Sequence, residues 1–153
     1  MNTLSRPALL GACTLLLTAL VALSSCAYPS VSVRSARLDS VKLSGLTVDV
    51  YFDVNNPNPF VLPLEQVDWN LRLFNTRVGA GTTRMDKTLP AQRTTRVKMP
   101  IRVRFEDVGS IAGRVVNARS IDWDLDGTAQ FQSPAGPLAL DFAETGRWDN
   151  PIR

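Results

Sequence analysis

The chain has 153 residues, 44% hydrophobic, 20% charged and 7% aromatic, enough for one small globular domain plus an appendage. It contains no histidine, which excludes imidazole acid/base catalysis, Ser-His-Asp and Cys-His nucleophiles and His-ligated metals. Its two cysteines, Cys13 and Cys26, both sit near the N-terminus, so the body carries neither a disulfide framework nor a thiolate metal site.

Residues 1–7 hold one charged side chain, Arg6, and residues 8–23 form an uninterrupted charge-free run. A spanning helix needs about 20 apolar residues. The shorter run after a positive start predicts a cleaved secretory signal over residues 1–25. The run ends in Leu23-Ser24-Ser25-Cys26, which resembles the lipobox of bacterial lipoproteins. That resemblance implies diacylglycerol on the Cys26 sulfur, cleavage before Cys26 and acylation of the new amino terminus. Two acyl chains hold a protein stably on a bilayer. The alternative is an ordinary signal peptide with an incidental cysteine, or an uncleaved anchor. Ala27 stands where an aspartate would resemble the inner-membrane retention signal. The expected location is therefore the cell envelope, lipid-anchored and extracytoplasmic, on the outer membrane facing the periplasm in a two-membrane bacterium. The mature chain carries 16 basic against 14 acidic residues with the signs interleaved, so no nucleic-acid partner is expected.

Residues 26–32 read as the lipidated cysteine and a linker containing Pro29, residues 33–148 as the folded domain, and 149–153 as a C-terminal tail. Within the domain, period-two alternation dominates, as in strands with one buried face. Two early pieces, 31–38 and 41–43, predict strand. Val48, Val50 and Phe52 then alternate with Asp49, Tyr51 and Asp53, giving a strand over about 46–55. A turn follows at Asn56–Pro59. Val67, Trp69, Leu71 and Leu73 mark the next strand, with turns at Asn75-Thr76 and Gly79–Gly81. Val97, Met99, Ile101, Val103 and Phe105 form a long strand whose Pro100 cannot donate to a ladder, which predicts an edge or a bulge. Asp107 can cap a helix with Val108, Ile111, Ala112, Val115 and Val116 on one face. Ile121, Trp123, Leu125 and Phe131, then a turn at 133–137 and Leu138, Leu140 and Phe142, complete the pattern. The fold class is all-β.

The stretch Asn55-Asn56-Pro57-Asn58-Pro59-Phe60, with the strand before it and Leu62-Pro63-Leu64 after it, resembles the WHy (water stress and hypersensitive response) domain of group 2 late embryogenesis abundant proteins. The resemblance covers about residues 33–146. It implies a seven-stranded antiparallel β-sandwich, fibronectin type III-like, with one short helix. It also implies a role in tolerance of desiccation, cold or osmotic stress. Asparagine tolerates left-handed backbone and bonds neighbouring backbone groups, while proline fixes φ and extends the residue before it. Asn55 to Phe60 therefore read as structural, with Phe60 plugging the end of the core.

Three other patterns carry candidate chemistry. Asp122, Asp124 and Asp126 with Gly127 match the opening of a calcium loop, but position twelve is Ser133 and Trp123 and Leu125 alternate as on a strand. The expected role is a solvated face or a ladder with arginines such as Arg102 and Arg104. The row Arg96, Lys98, Arg102 and Arg104 reads as an outward strand face, with anionic lipid as the functional alternative. Carboxylate pairs such as Glu65 with Asp68, or Asp141 with Glu144, have nothing to place them in a cleft. The expectation is a non-enzymatic monomer with no metal and no cofactor beyond the lipid on Cys26, meeting membrane, client proteins or lipid. The alternatives are an apolar-ligand-binding module and an accessory subunit of an envelope complex.

Overall fold

Strict alternation builds the strands. From Leu46 to Asn56 every second residue is buried along β2 (Gly45–Asn56), and Val97, Met99, Ile101 and Val103 repeat the pattern along β5 (Arg93–Arg104). The computed structural model describes residues 27–104 and 111–150. In it, β2 lies between β1 (Ser30–Lys42) and β5 in a three-stranded sheet. The second sheet contains β3 (Leu62–Leu73), β4 (Thr76–Leu89), β6 (Ser120–Ser133) and β7 (Gly136–Asp149), in the order β4-β3-β6-β7. All pairings are antiparallel. One short helix, α1 (Ile111–Asn117), precedes β6. This is the all-β, two-sheet sandwich that the patterning predicts.

Aromatic rings hold the sheets face to face. Phe52 on β2 meets Phe142 on β7 edge-on at 4.9 Å and 73°. Trp148 on β7 stacks on Trp123 at 5.3 Å and donates its indole N–H to the Ala36 carbonyl on β1 at 2.8 Å. The sandwich has two open ends. The Asn–Pro end gathers the start of β1, the 57–61 turn, the β4–β5 connection and the β6–β7 turn. The helix end gathers the β1–β2 turn, the β3–β4 hairpin, α1 and Asn150.

Several expectations shift. The two early pieces merge into one strand, β1, bulged between Val33 and Ser35 and between Leu38 and Ser40; it starts at Ser30, inside the stretch read as a linker. Leu43 falls in a turn. Pro100 lies on β5, an edge strand as its missing donor requires, and pairs with Asp49 on β2. Gly79–Gly81 is not a turn but part of β4. The Trp69 ring lies across it, 3.1 Å from where a Gly81 Cβ would sit and 3.4 Å from that of Gly79. The glycines there make room for an indole. The hairpin turn comes one residue earlier, at Phe74 and Asn75, whose φ values of 52° and 62° place both in the left-handed backbone region, as a two-residue turn matching the right-handed twist of the flanking strands requires. Phe74 bears this conformation because Asp122 O accepts its N–H at 2.9 Å and the Arg114 guanidinium covers its ring at 4.2 Å. Ile111 and Val115 are the buried side of α1; Phe105 at the end of the expected strand, the expected cap Asp107 and Val108 lie outside the described residues.

Gly127 faces Trp69 in register, and a Cβ there would run into the Asp68 carbonyl and stand 2.7 Å from the Phe142 ring. Gly127→Ala should cost about 2–3 kcal/mol in urea unfolding. Gly113→Ala, on α1 with open space around it, should instead stabilise by up to about 1 kcal/mol.

Candidate functional site

The last residue of β2 points its side chain inward by the same alternation that buries Val54 and Phe52, so Asn56 carries a polar group to 0% exposure. Its Nδ2 donates to the Phe60 carbonyl at 2.8 Å and the Pro90 carbonyl at 3.1 Å, with the Leu89 carbonyl at 3.4 Å sharing the second proton. Its Oδ1 accepts from the backbone N–H and the side-chain amide of Asn58. Asn58, also buried, donates Nδ2 to the Ala27 carbonyl at 2.9 Å, and its own carbonyl accepts from Gln92 N–H at 3.0 Å. Two amides thus tie the turn to the β4–β5 connection and to the chain running into β1. Asn55 is exposed and accepts from the Thr94 hydroxyl. Pro57 and Phe60 are half-buried and Pro59 is exposed.

Beside this turn lies a cleft of about 340 Å³, lined mainly by Tyr28, Pro29, Phe60, Leu62, Pro137 and Leu138. Ala27 is at its rim. Cys26, the expected lipidation residue, lies outside the described residues.

The basic row divides in two. Arg96 and Arg34 both grip Asp53, at 3.1 and 3.2 Å. The hydrogen bond from Arg96 is the main cause that holds the Asp53 carboxyl below its ordinary 3.8, against partial desolvation that raises it. Lys98 binds Asp49 at 2.6 Å, and this bond pushes the ammonium pKa up. Arg102 and Arg104 have no ion-pair partner among the described residues. They also do not form the expected ladder with Asp122, Asp124 and Asp126, because β5 and β6 belong to different sheets. Asp122 instead pairs with Arg147 at 2.6 Å, and Asp126 accepts from Asn70 at 3.1 Å with Arg72 at 3.8 Å. All three aspartates lie on a regular strand, so no calcium loop forms there.

Asp68 accepts from Thr82 and from Gln130, and Asp141 from Thr128. Their bonds run to neighbouring strands and not to Glu65 or Glu144.

The sequence reading missed Asn150, which it left in a tail. It is 4% exposed, and its Nδ2 donates to the Val115 carbonyl at 2.9 Å and the Ala118 carbonyl at 2.8 Å, where α1 ends. Its backbone N–H donates to Arg119 O. A signal existed: Asn56-Pro57, Asn58-Pro59 and Asn150-Pro151 are the Asn-Pro pairs of the chain, and their asparagines are the buried polar residues of the described structure.

Asn56→Ala strips the donors from buried carbonyls and should destabilise by about 3 kcal/mol, read by urea unfolding. Asp53→Asn probes the charge row. A carboxyl with a lowered folded pKa stabilises above its unfolded value and loses that contribution as pH falls through the folded one. The midpoint difference between native protein and variant should therefore shrink below about pH 3.8, and shrink in high salt at neutral pH.

A sequence profile of the late embryogenesis abundant protein family matches residues 40–146. Late embryogenesis abundant protein Lea14-A of Gossypium hirsutum is 23% identical over 124 residues, covering 81% of this chain and 76% of its own. The solution structure of AT1g01470 from Arabidopsis thaliana is similar with a TM-score of 0.68 at 19% identity, covering 84% of this chain and 85% of that one. The solution structure of At2g46140.1 gives 0.66 at 21% identity, over 92% and 79%. With its fold and its match across two sheets and the helix between them, the chain belongs to the late embryogenesis abundant protein family.

Proposed function

We propose that this is a lipid-anchored, non-enzymatic envelope protein of the WHy type that protects proteins or membranes as water is lost through desiccation, cold or osmotic stress. Family membership carries the reading and makes the protein stress-related. The lipobox at Leu23–Cys26 supports the anchor, and the Asn56–Phe60 turn supports the WHy subgroup. The chain acts as a monomer, needs no cofactor beyond the lipid on Cys26, and meets membrane, client proteins or lipid, not nucleic acid.

The mechanism is steric and solvational. Cross-strand polar pairs, such as Asp53 with its two arginines, Asp68 with Thr82 and Gln130, and Asp141 with Thr128, cover the outward faces of both sheets. Such faces hold water and offer no sticky apolar surface. Held at a membrane, many copies would separate neighbours that otherwise aggregate as they dry. The apolar cleft at the Asn–Pro end favours a second reading, a binding module for lipid.

Residues 27–153, mixed with a labile enzyme and freeze-thawed or dried, should preserve more activity than an inert β-sandwich of equal charge and mass. Recovery equal to that control would overturn the protective reading in favour of ligand binding. Fatty-acid label should enter the full chain and not its Cys26→Ser variant.

A further inference from the structure

The anchor and the domain meet at one place, and that place is apolar. Ala27, the residue that follows Cys26, is clamped by the Asn58 amide at 2.9 Å, and β1 begins three residues later at Ser30. No flexible spacer therefore separates the domain from the lipidated residue: the cleft is at the exit point. Around it, Tyr28 is 78% exposed and Val61 56% exposed, two of the three exposed large hydrophobic residues among those described. The third, Leu43, is at the helix end. The cleft wall adds Phe60 and Pro137. Tyrosine, with an apolar ring and a polar tip, suits the headgroup level of a bilayer.

We propose that the Asn–Pro end is a membrane-seating surface: Tyr28, Phe60 and Val61 enter the interfacial layer of a lipid bilayer, and the sandwich stands upright with its helix end farthest away. The proposal rests on the lipid anchor at Cys26 put forward above. Its occupant is the bilayer, because two acyl chains joined one residue before the clamped Ala27 bring the cleft to the headgroup layer whatever else is present. Upright seating also decides the fate of the basic row. Along β5, Arg104 lies eight residues beyond Arg96, about 26 Å farther from the membrane at strand rise. That exceeds two Debye lengths at physiological salt. Arg102 and Arg104 then face the aqueous compartment and do not hold headgroups, while Arg96 and Lys98, nearer the membrane, are already engaged by Asp53 and Asp49.

The test uses the full lipidated chain in phosphatidylethanolamine–phosphatidylglycerol liposomes. Val61→Cys and Leu43→Cys each receive one environment-sensitive fluorophore; both sites are exposed, and lipidation leaves no other free thiol. The expected result is co-flotation of both proteins, with a blue-shifted Val61 label that lipid-borne quenchers quench several-fold more than the Leu43 label. Flotation with equal quenching at the two sites overturns the seating and leaves the anchor standing. A Val61 label that is blue-shifted yet unquenched by lipid places that site against protein or within the cleft, and overturns the bilayer as occupant. Failure to float with fatty-acid label absent overturns the anchor and the seating together.

Discussion

Backbone carbonyls at the open ends of a sandwich have no strand to pair with, and burying them unpaired costs on the order of 1–3 kcal/mol each. The whole arrangement depends on how that cost is avoided. A buried asparagine amide does so at both ends: Asn56 serves the carbonyls of Phe60 and Pro90, and Asn150 serves those of Val115 and Ala118. Asn58 extends the first set to Ala27. Each of these asparagines precedes a proline, which biases the asparagine backbone toward extended geometry so that the amide turns back over the core. The chain crossovers that join the two sheets run through these points. Without the amides, the apolar interior would open to water from both ends.

Between the ends, apolar burial dominates and the charges tune. The interior contains over two dozen nearly inaccessible hydrophobic side chains, each contributing about 1.5–3 kcal/mol before the entropy of ordering is set against it. The exposed ion pairs, by contrast, contribute about 0–1 kcal/mol apiece. Their value is in pairing and hydration: Asp53 links β1, β2 and β5 through Arg34 and Arg96, so a slipped register would leave it facing the wrong partners. Sterics add a finer constraint. Tryptophans are matched to glycines across strands, Trp69 over Gly79 and Gly81, and Trp123 against Gly146, where a Cβ would sit 2.5 Å from the ring.

The elements most visible in the sequence were those with one buried and one wet face. β2, β5 and β6 declare themselves by alternation, and Pro100 even marks its strand as an edge. The Gly79–Gly81 segment was misread because glycine serves turns and ring contacts alike, and only the three-dimensional neighbour, Trp69, tells which. The partners of Asp122 and Asp126 were misassigned for a related reason. Outward position follows from periodicity, whereas sheet membership depends on topology, which local patterning does not carry. The Asn55–Phe60 turn stood out as a pattern, yet its internal bonds involve residues more than thirty positions away. Asn150 was overlooked because a chain end without apolar alternation resembles a tail, although its Asn-Pro pairing repeats that of the turn.

Those Asn-Pro pairs have a chemical consequence for ageing. Asparagine ordinarily deamidates when the backbone nitrogen of the next residue attacks the side-chain carbonyl carbon and closes a succinimide ring. A proline nitrogen has no proton to give up and cannot form that ring. Asn56, Asn58 and Asn150 are therefore shielded from succinimide deamidation by the identity of the following residue, whereas Asn55, Asn70, Asn75 and Asn117 are not. Deamidation at the first three would place carboxylates among backbone carbonyls in the interior, while at Asn75 it would alter an exposed hairpin tip. Chemical wear of this kind is thereby kept from the three amides that close the two ends of the sandwich.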